Sequence, residues 1–349
     1  MTKHEASIVH QVAAQQAMLA ERLFYLLAPL HPALHADVIR ALQGEGKLLY
    51  QAPVSDDSSR PLPFAGMWAL VTFLIARYVA PDIDPILAGN VAIAVECFVC
   101  ATDLLDDVTD GDQTTTLIAL GSARALNVST ALLALAHQAI LSLSQQQSDP
   151  QLILRLLDTF EEATLTAVSG QHRDILSELQ PLRDCTQEEC LDIASAKAGS
   201  IMRMAFLLGA LCGGADDALC QQLSESGRLL GIAHQLDNDA HDLYQLLQET
   251  PFSLTQSSSA MPARSIKSDL ERGKKTLPIV LAARDDKTLQ RFSQLTDEEK
   301  KEHLRAFQEA IMTTWGMCLL YRERVRELLQ ELEARKPVDL ALLTLLGLT

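Results

Sequence analysis

Positive charge is the scarce commodity of this chain. Its 29 Lys and Arg stand against 45 Asp and Glu, a formal net charge of -16 over 349 residues. A surface this acidic argues against nucleic acid or an anionic membrane as the main partner. An anionic substrate would have to be held by metal ions and a few placed cations. A secretory leader is not expected either: Met1-Thr-Lys-His-Glu runs straight into an amphipathic pattern instead of a basic segment and an apolar core. The seven cysteines are odd in number and scattered, which points to free thiols in a reducing cytoplasm. Cys97 and Cys100 form one C-x-x-C inside an apolar stretch, without a second pair, and read as small core residues. No membrane span is expected: Glu96 interrupts the apolar run from Val91, and Asn127 and His137 interrupt that from Ala125 to Leu143. Hairpin signals and sustained period-two alternation are missing too, which excludes a sheet-based fold.

What remains is helix. Apolar positions recur at helical spacing over residues 5–43, broken by Pro29 and Pro32. A Gly-, Pro-, Ser- and Asp-rich loop covers 44–64. Helices are then expected over 64–80, 84–110, 121–145, 150–181, 187–213, 216–248, 275–285, 297–334 and 337–347. Two polar loops, 109–118 and 249–268, follow acidic clusters and are candidate lids. With 48% hydrophobic residues the chain can bury a large core. The expectation is an all-α, single domain over residues 1–349, a bundle of about ten helices.

The richest chemistry follows one of the most apolar runs. Asp103, Asp106, Asp107 and Asp110 fall within about 100° of each other around a helix. Like charges so placed repel and are costly to desolvate, and a hard divalent cation such as Mg²⁺ is the natural partner. A solvated acidic helix end is the ordinary alternative, but the run from Val91 to Ala101 is too apolar for a surface helix. About 130 residues later Asn238, Asp239 and Asp242 share another helix face, joined by Gln235 a turn earlier, while Asp237 lies off it. His241, between two aspartates, reads as solvated or supporting a ligand from behind.

The two acidic clusters resemble the paired aspartate-rich motifs of the trans-isoprenyl diphosphate synthase (polyprenyl synthetase) family. Further stretches match in order. Gly170-Gln171-His-Arg-Asp174-Ile resembles G-Q-x-x-D-[LI], and Lys197-Ala-Gly-Ser200 stands where the family has its K-T pair. Gly231 to Asp242 is similar to G-x-x-[FY]-Q-x-x-D-D-x-x-D, and Ser268 to Pro278 to D-L-x-x-G-K-x-T-L-P. The resemblance covers about residues 40–285, leaving 286–349 as C-terminal helices. It implies the isoprenoid synthase fold, a bundle around a deep central cavity with the acidic helices facing across its mouth. Three Mg²⁺ ions would hold an allylic diphosphate there while pyrophosphate departs and a carbocation forms. By motif position, Asp106, Asp107, Asp110, Asn238, Asp239 and Asp242 are the implied metal ligands. Gln171 and Gln235 support them, and Lys197 and Lys274 contact the diphosphate. Small Ala101 and Thr102 leave room for a long chain with Phe98 as floor, consistent with a C15–C20 donor. The resemblance further implies a homodimer.

Departures from the pattern shape the functional expectation. The family's elongating members carry R-R-G after the first motif, whereas Gly111 to Gly121 contains no arginine. The G-G-K-R-x-R-P stretch that holds isopentenyl diphosphate is degraded: Lys47 is followed by Leu48, and Arg60-Pro61 comes only after an insertion. Asn238 stands for a usual Asp, and Ala198 for the K-T threonine. The ionising half of the site is thus retained and the acceptor half dismantled. The expected function is a prenyltransferase acting on an acceptor such as a peptide tryptophan. The alternatives are a terpene synthase cyclising or hydrolysing one allylic diphosphate and a non-catalytic regulatory relative. Joint retention of both metal motifs, Gln171, Gln235, Lys197 and Lys274 disfavours the last.

Overall fold

The computed structural model describes residues 3–51, 66–146, 148–249, 272–283 and 297–333, together with Leu342 and Leu346. Arg60, nearly all of the 249–268 loop, the Ser268–Leu270 start of the last motif and most of the 337–347 helix lie outside the described residues. Among those described there is helix and no strand.

The elements begin with α1 (Lys3–Leu27), α2 (Pro32–Leu42) and α3 (Met67–Val79), then α4 (Pro85–Asp110), α5 (Thr115–Leu120) and α6 (Ser122–Leu141). A 3₁₀ turn (Ser142–Gln146) leads to α7 (Pro150–Ser177). After it come α8 (Gln187–Ala194), a π-helical turn (Ser195–Gly199), α9 (Ser200–Cys212), α10 (Asp217–Glu249), α11 (Leu277–Ala282) and α12 (Asp297–Glu333). Their ends are written in the sequence. Pro85 occupies the first turn of α4 behind the Asp84 cap, whose side chain accepts from the Ile86 N–H at 2.9 Å. Gly111, at φ 70°, closes α4 in the left-handed conformation that glycine adopts without strain. Thr186-Gln-Glu-Glu189 opens α8, the Thr186 hydroxyl accepting from the Glu189 N–H at 3.1 Å.

The 109–118 stretch is not one loop: α4 continues to Asp110, and α5 begins at Thr115, leaving only Gly111 to Thr114 between them. The Thr114 hydroxyl caps α5 by accepting from the Leu117 N–H at 3.2 Å, so a polar, Thr-rich segment starts a helix.

The chain groups into two compact units. The first comprises Met1–Glu161, Met204–Ser224 and Leu329–Thr349, the second Glu162–Arg203 and Glu225–Leu328. In the first unit α4 is the core helix, packed against α1, α3 and α6. It is buried from Ala88 through Ala101. Full burial of Phe98 alone contributes about 1.5–3 kcal/mol. Helix α4 and the Ser122–Gln146 stretch are long and apolar enough to cross a membrane by composition. Within the protein, 78% and 44% of their most apolar windows are buried. In the second unit Cys190, Ala194, Ile232, Leu236, Leu277 and Cys318 form one core cluster, and Leu243, Ile279, Phe307 and Ile311 belong to another. All seven cysteines are free, with Cys97 and Cys100 buried.

Candidate active site

In the first unit, the acidic residues sit at the C-terminal end of α4, whose last turn contains no basic residue. A helix C-terminus carries partial negative charge, so carboxylates there are disfavoured until a cation arrives. The groups are partly buffered locally. Asp103 is ion-paired to Lys47. Asp107 accepts a hydrogen bond from the Thr114 hydroxyl at 2.7 Å. Burial pushes the Asp107 carboxyl up to about 6, with Asp103, Asp112 and Asp106 adding like-charge repulsion and the Thr114 bond opposing it. Thr114 was not singled out in the sequence. Its signal is local: a Ser or Thr cap just beyond the acidic helix ties α5 to Asp107.

Deeper on α4, Phe98 is fully buried and meets Phe160 edge to face, ring centroids 5.3 Å apart. Ala101 is also buried. The Thr102 hydroxyl folds back to donate to the Phe98 and Val99 carbonyls, both at 3.1 Å, and so spends its polarity on its own helix.

In the second unit, Lys197 and Lys274 converge. The Lys197 Nζ donates to Asp174 Oδ2 at 2.6 Å, and the Lys274 Nζ lies 3.8 Å from the same oxygen. All three side chains are largely buried, at 14, 6 and 12% exposure for Lys197, Lys274 and Asp174. Sequence reading placed Asp174 in a motif but gave it no task; the structure makes it the shared counter-ion of two lysines 77 positions apart in sequence.

Backbone geometry sets Lys197 in place. It lies in the π turn, which α7 and α10 approach closely at two glycines. A Cβ on Gly170 would meet Ala196 and the Lys197 backbone N at 2.8 Å. One on Gly231 would meet the Ala198 carbonyl O at 2.3 Å. The Ser200 hydroxyl donates to the Ala196 and Lys197 carbonyls at 2.6 and 2.9 Å, satisfying acceptors at the turn where the ladder is interrupted.

On α10, Gln235 Nε2 donates to Asp239 Oδ1 at 2.9 Å, holding that buried carboxylate one turn away. The Asn238 amide is 3.5 Å from His234 Nε2. Asp237 is turned elsewhere, 3.9 Å from Arg322, as its helical position requires. His241 is exposed and lies 2.7 Å from the Gln245 amide. Gln171 is half-buried on α7.

No three His, Cys, Asp or Glu among the described residues form a ready metal-binding group. The oxygen donors of Asp106, Asp107 and Asp110, and of Asn238, Asp239 and Asp242, nevertheless fit Mg²⁺. This ion retains several waters and is commonly held by one or two carboxylates plus substrate phosphates.

The family model described as Polyprenyl synthetase matches residues 67–312. A (2E,6E)-farnesyl diphosphate synthase of Mycobacterium tuberculosis is 29% identical over 236 residues, covering 66% of this chain and 60% of that protein. The tryptophan prenyltransferase ComQ of Bacillus spizizenii is 30% identical over 158 residues, covering 45% of this chain and 50% of that one. This chain therefore spans half to three fifths of the length of these curated relatives. The solved polyprenyl synthase from Caulobacter crescentus, complexed with calcium and isoprenyl diphosphate, superposes with a TM-score of 0.73. That match covers 98% of this chain and 95% of that one at 21% identity, and identifies the isoprenoid synthase fold.

Proposed function

Because this chain belongs to the polyprenyl synthetase family, we propose that it is a Mg²⁺-dependent prenyltransferase acting on an allylic isoprenyl diphosphate of C15–C20. The carbon–oxygen bond breaks, pyrophosphate leaves with the bonding electrons, and an electron pair of the acceptor forms the new bond to the prenyl cation, after which the acceptor gives up a proton. The observation that carries the reading is the convergence of Lys197 and Lys274 on Asp174 at 2.6 and 3.8 Å. Two ammonium groups prepared side by side can donate to the growing charge of a departing diphosphate. Such donors are most effective where their positions are set before reaction, and Gly170, Gly231 and the π turn preset Lys197.

Asp106, Asp107 and Asp110, with Asn238, Asp239 and Asp242, would hold the metal, and Gln235 would keep Asp239 oriented. Bound Mg²⁺, three ions with the diphosphate, would neutralise the leaving group. Gln171 belongs to the same set. Phe98, packed on Phe160 and followed along the chain towards the acidic face by Ala101 and Thr102, would limit the prenyl chain. The protein would act as a homodimer in the cytoplasm, where its seven free thiols persist.

A second reading, a terpene synthase, is favoured by one observation: Gly111 to Gly121 offers no arginine for a second diphosphate. One assay separates the two. The protein is incubated with Mg²⁺ and geranyl, farnesyl or geranylgeranyl diphosphate, with and without isopentenyl diphosphate or a tryptophan peptide. Prenylated acceptor supports the transferase; hydrocarbon or alcohol from the donor alone supports the synthase. No pyrophosphate release from any donor under any of these conditions would overturn both readings.

A further inference from the structure

The first unit contains an ion pair that the proposed reaction does not use. Lys47 is bonded to Asp103, one turn before Asp106 on α4. The lysine side chain is 13% exposed and the aspartate 57%. Below them Glu96, almost fully buried, accepts from the Leu48 N–H at 2.7 Å and anchors the turn that carries Lys47. The same turn is held from its other side. The Gly66 N–H donates to the Gly46 carbonyl at 2.9 Å, and Gly66 lies so close to Leu48 that a Cβ would meet its Cδ1 at 2.7 Å. Burial alone would favour a neutral Lys47, but Asp103, Cys100 and Glu96 outweigh it and raise the lysine above its ordinary value. The ammonium is therefore a permanent charge, fixed in position by two backbone anchors.

We infer that Asp103 is a specificity-determining residue that neutralises Lys47 and thereby denies a second diphosphate its cation. An anionic co-substrate entering here would have to displace a charge-assisted bond, then remain beside the Asp103 carboxylate that it displaced. Like charges forced together across a binding surface disfavour the partner that brings them. The neighbouring acidic face adds to that cost. The acceptor class this favours is an uncharged nucleophile: an indole or other aromatic ring, an alcohol, water, or a double bond of the donor's own chain. This inference rests on the proposed function, since only an enzyme that generates a prenyl cation needs such an acceptor.

The experiment is calorimetric titration of the full-length protein with isopentenyl diphosphate, with no allylic donor present so that nothing reacts. Asp103→Asn keeps the side chain's size and removes its charge at an exposed position. The expected result is no saturable binding by the wild type and a gain of about tenfold or more in Asp103→Asn. That gain should vanish when Lys47→Met is added to Asp103→Asn. Equal affinity of wild type and Asp103→Asn overturns the inference, as does a gain that survives Lys47→Met. Pyrophosphate release from farnesyl diphosphate with Mg²⁺ and a tryptophan peptide, measured in parallel on the wild type, judges the proposed reaction separately. Its absence counts against that reaction, while the titration still decides whether the ion pair excludes a diphosphate.

Discussion

Lys197 and Asp174 form a hydrogen-bonded ion pair of 2.6 Å between the π turn and α7, and Lys274 lies 3.8 Å from the same carboxylate oxygen. Removing the carboxylate charge leaves two largely buried ammonium groups facing each other. Asp174→Asn should therefore lower unfolding stability by about 1–3 kcal/mol. It should also raise the KM for an allylic diphosphate about tenfold, because the lysines lose their common anchor. Urea unfolding and steady-state pyrophosphate release test the two halves. A KM that stays put while stability falls would reduce Asp174 to a purely structural group.

Gly231→Ala brings a methyl group to within 2.3 Å of the Ala198 carbonyl O, a backbone atom that cannot step aside without moving the π turn. Overpacking of this kind costs about 1–3 kcal/mol. The urea midpoint should fall with an unchanged m-value. Gly316→Ala, at a glycine with nothing within 4 Å of the added carbon, is the control and should not lose stability.

If the acidic faces take up metal only together with a diphosphate, Mg²⁺ and inorganic pyrophosphate added jointly should raise the melting temperature, and neither alone should do so appreciably. Asp107→Ala and Asp239→Ala should each abolish the joint shift and reduce pyrophosphate release by about a hundredfold or more. A joint shift that persists in both variants would remove these carboxylates from the metal set.

His137 and Glu161 supply a pH-dependent pair in the first unit. Burial lowers the His137 pKa, but the Glu161 hydrogen bond, the Leu133 carbonyl and the Glu161 charge together raise it above 6.5. A histidine with a raised folded-state pKa contributes its full stabilisation below the unfolded pKa and loses it as pH rises through the folded value. Because the pair is partly exposed, that contribution is about 0.2–1 kcal/mol. Glu161→Gln should lower the imidazole midpoint in an NMR titration and flatten stability across that window. An unmoved midpoint would show that the hydrogen bond does not hold the proton.

The boundaries of α4 were legible from its capping residues: Asp84-Pro85 and Gly111 bracket it in sequence as in space. Helix α5 was not, because six residues starting from a Thr-rich segment offer too short a period to recognise. The π turn was hidden inside an expected 187–213 helix, since Ser, Ala, Lys and Gly over 195–199 carry no apolar rhythm that an inserted residue could disturb. The two-unit grouping has no linear signature either, because α7, α9, α10 and α12 each contribute to both units. In the site, residue types and helix faces were readable, but partners were not. Nothing in the spacing of Asp174, Lys197 and Lys274 says that they meet, or that Lys47 is already bound to Asp103.

The π turn also fixes a phase relation along the chain. It fits one more residue into its turn than an α-helix would, so α8 and α9 are rotationally offset although they run on continuously. Deleting a single residue between Ser195 and Gly199 would restore regular α-helix and turn everything before it by about 100° relative to everything after. Cys190 and Ile193, buried on α8, would then point away from their core while Met202 and Phe206 on α9 stayed in theirs. The residue count of this short segment is therefore under tighter constraint than the identity of most residues in it.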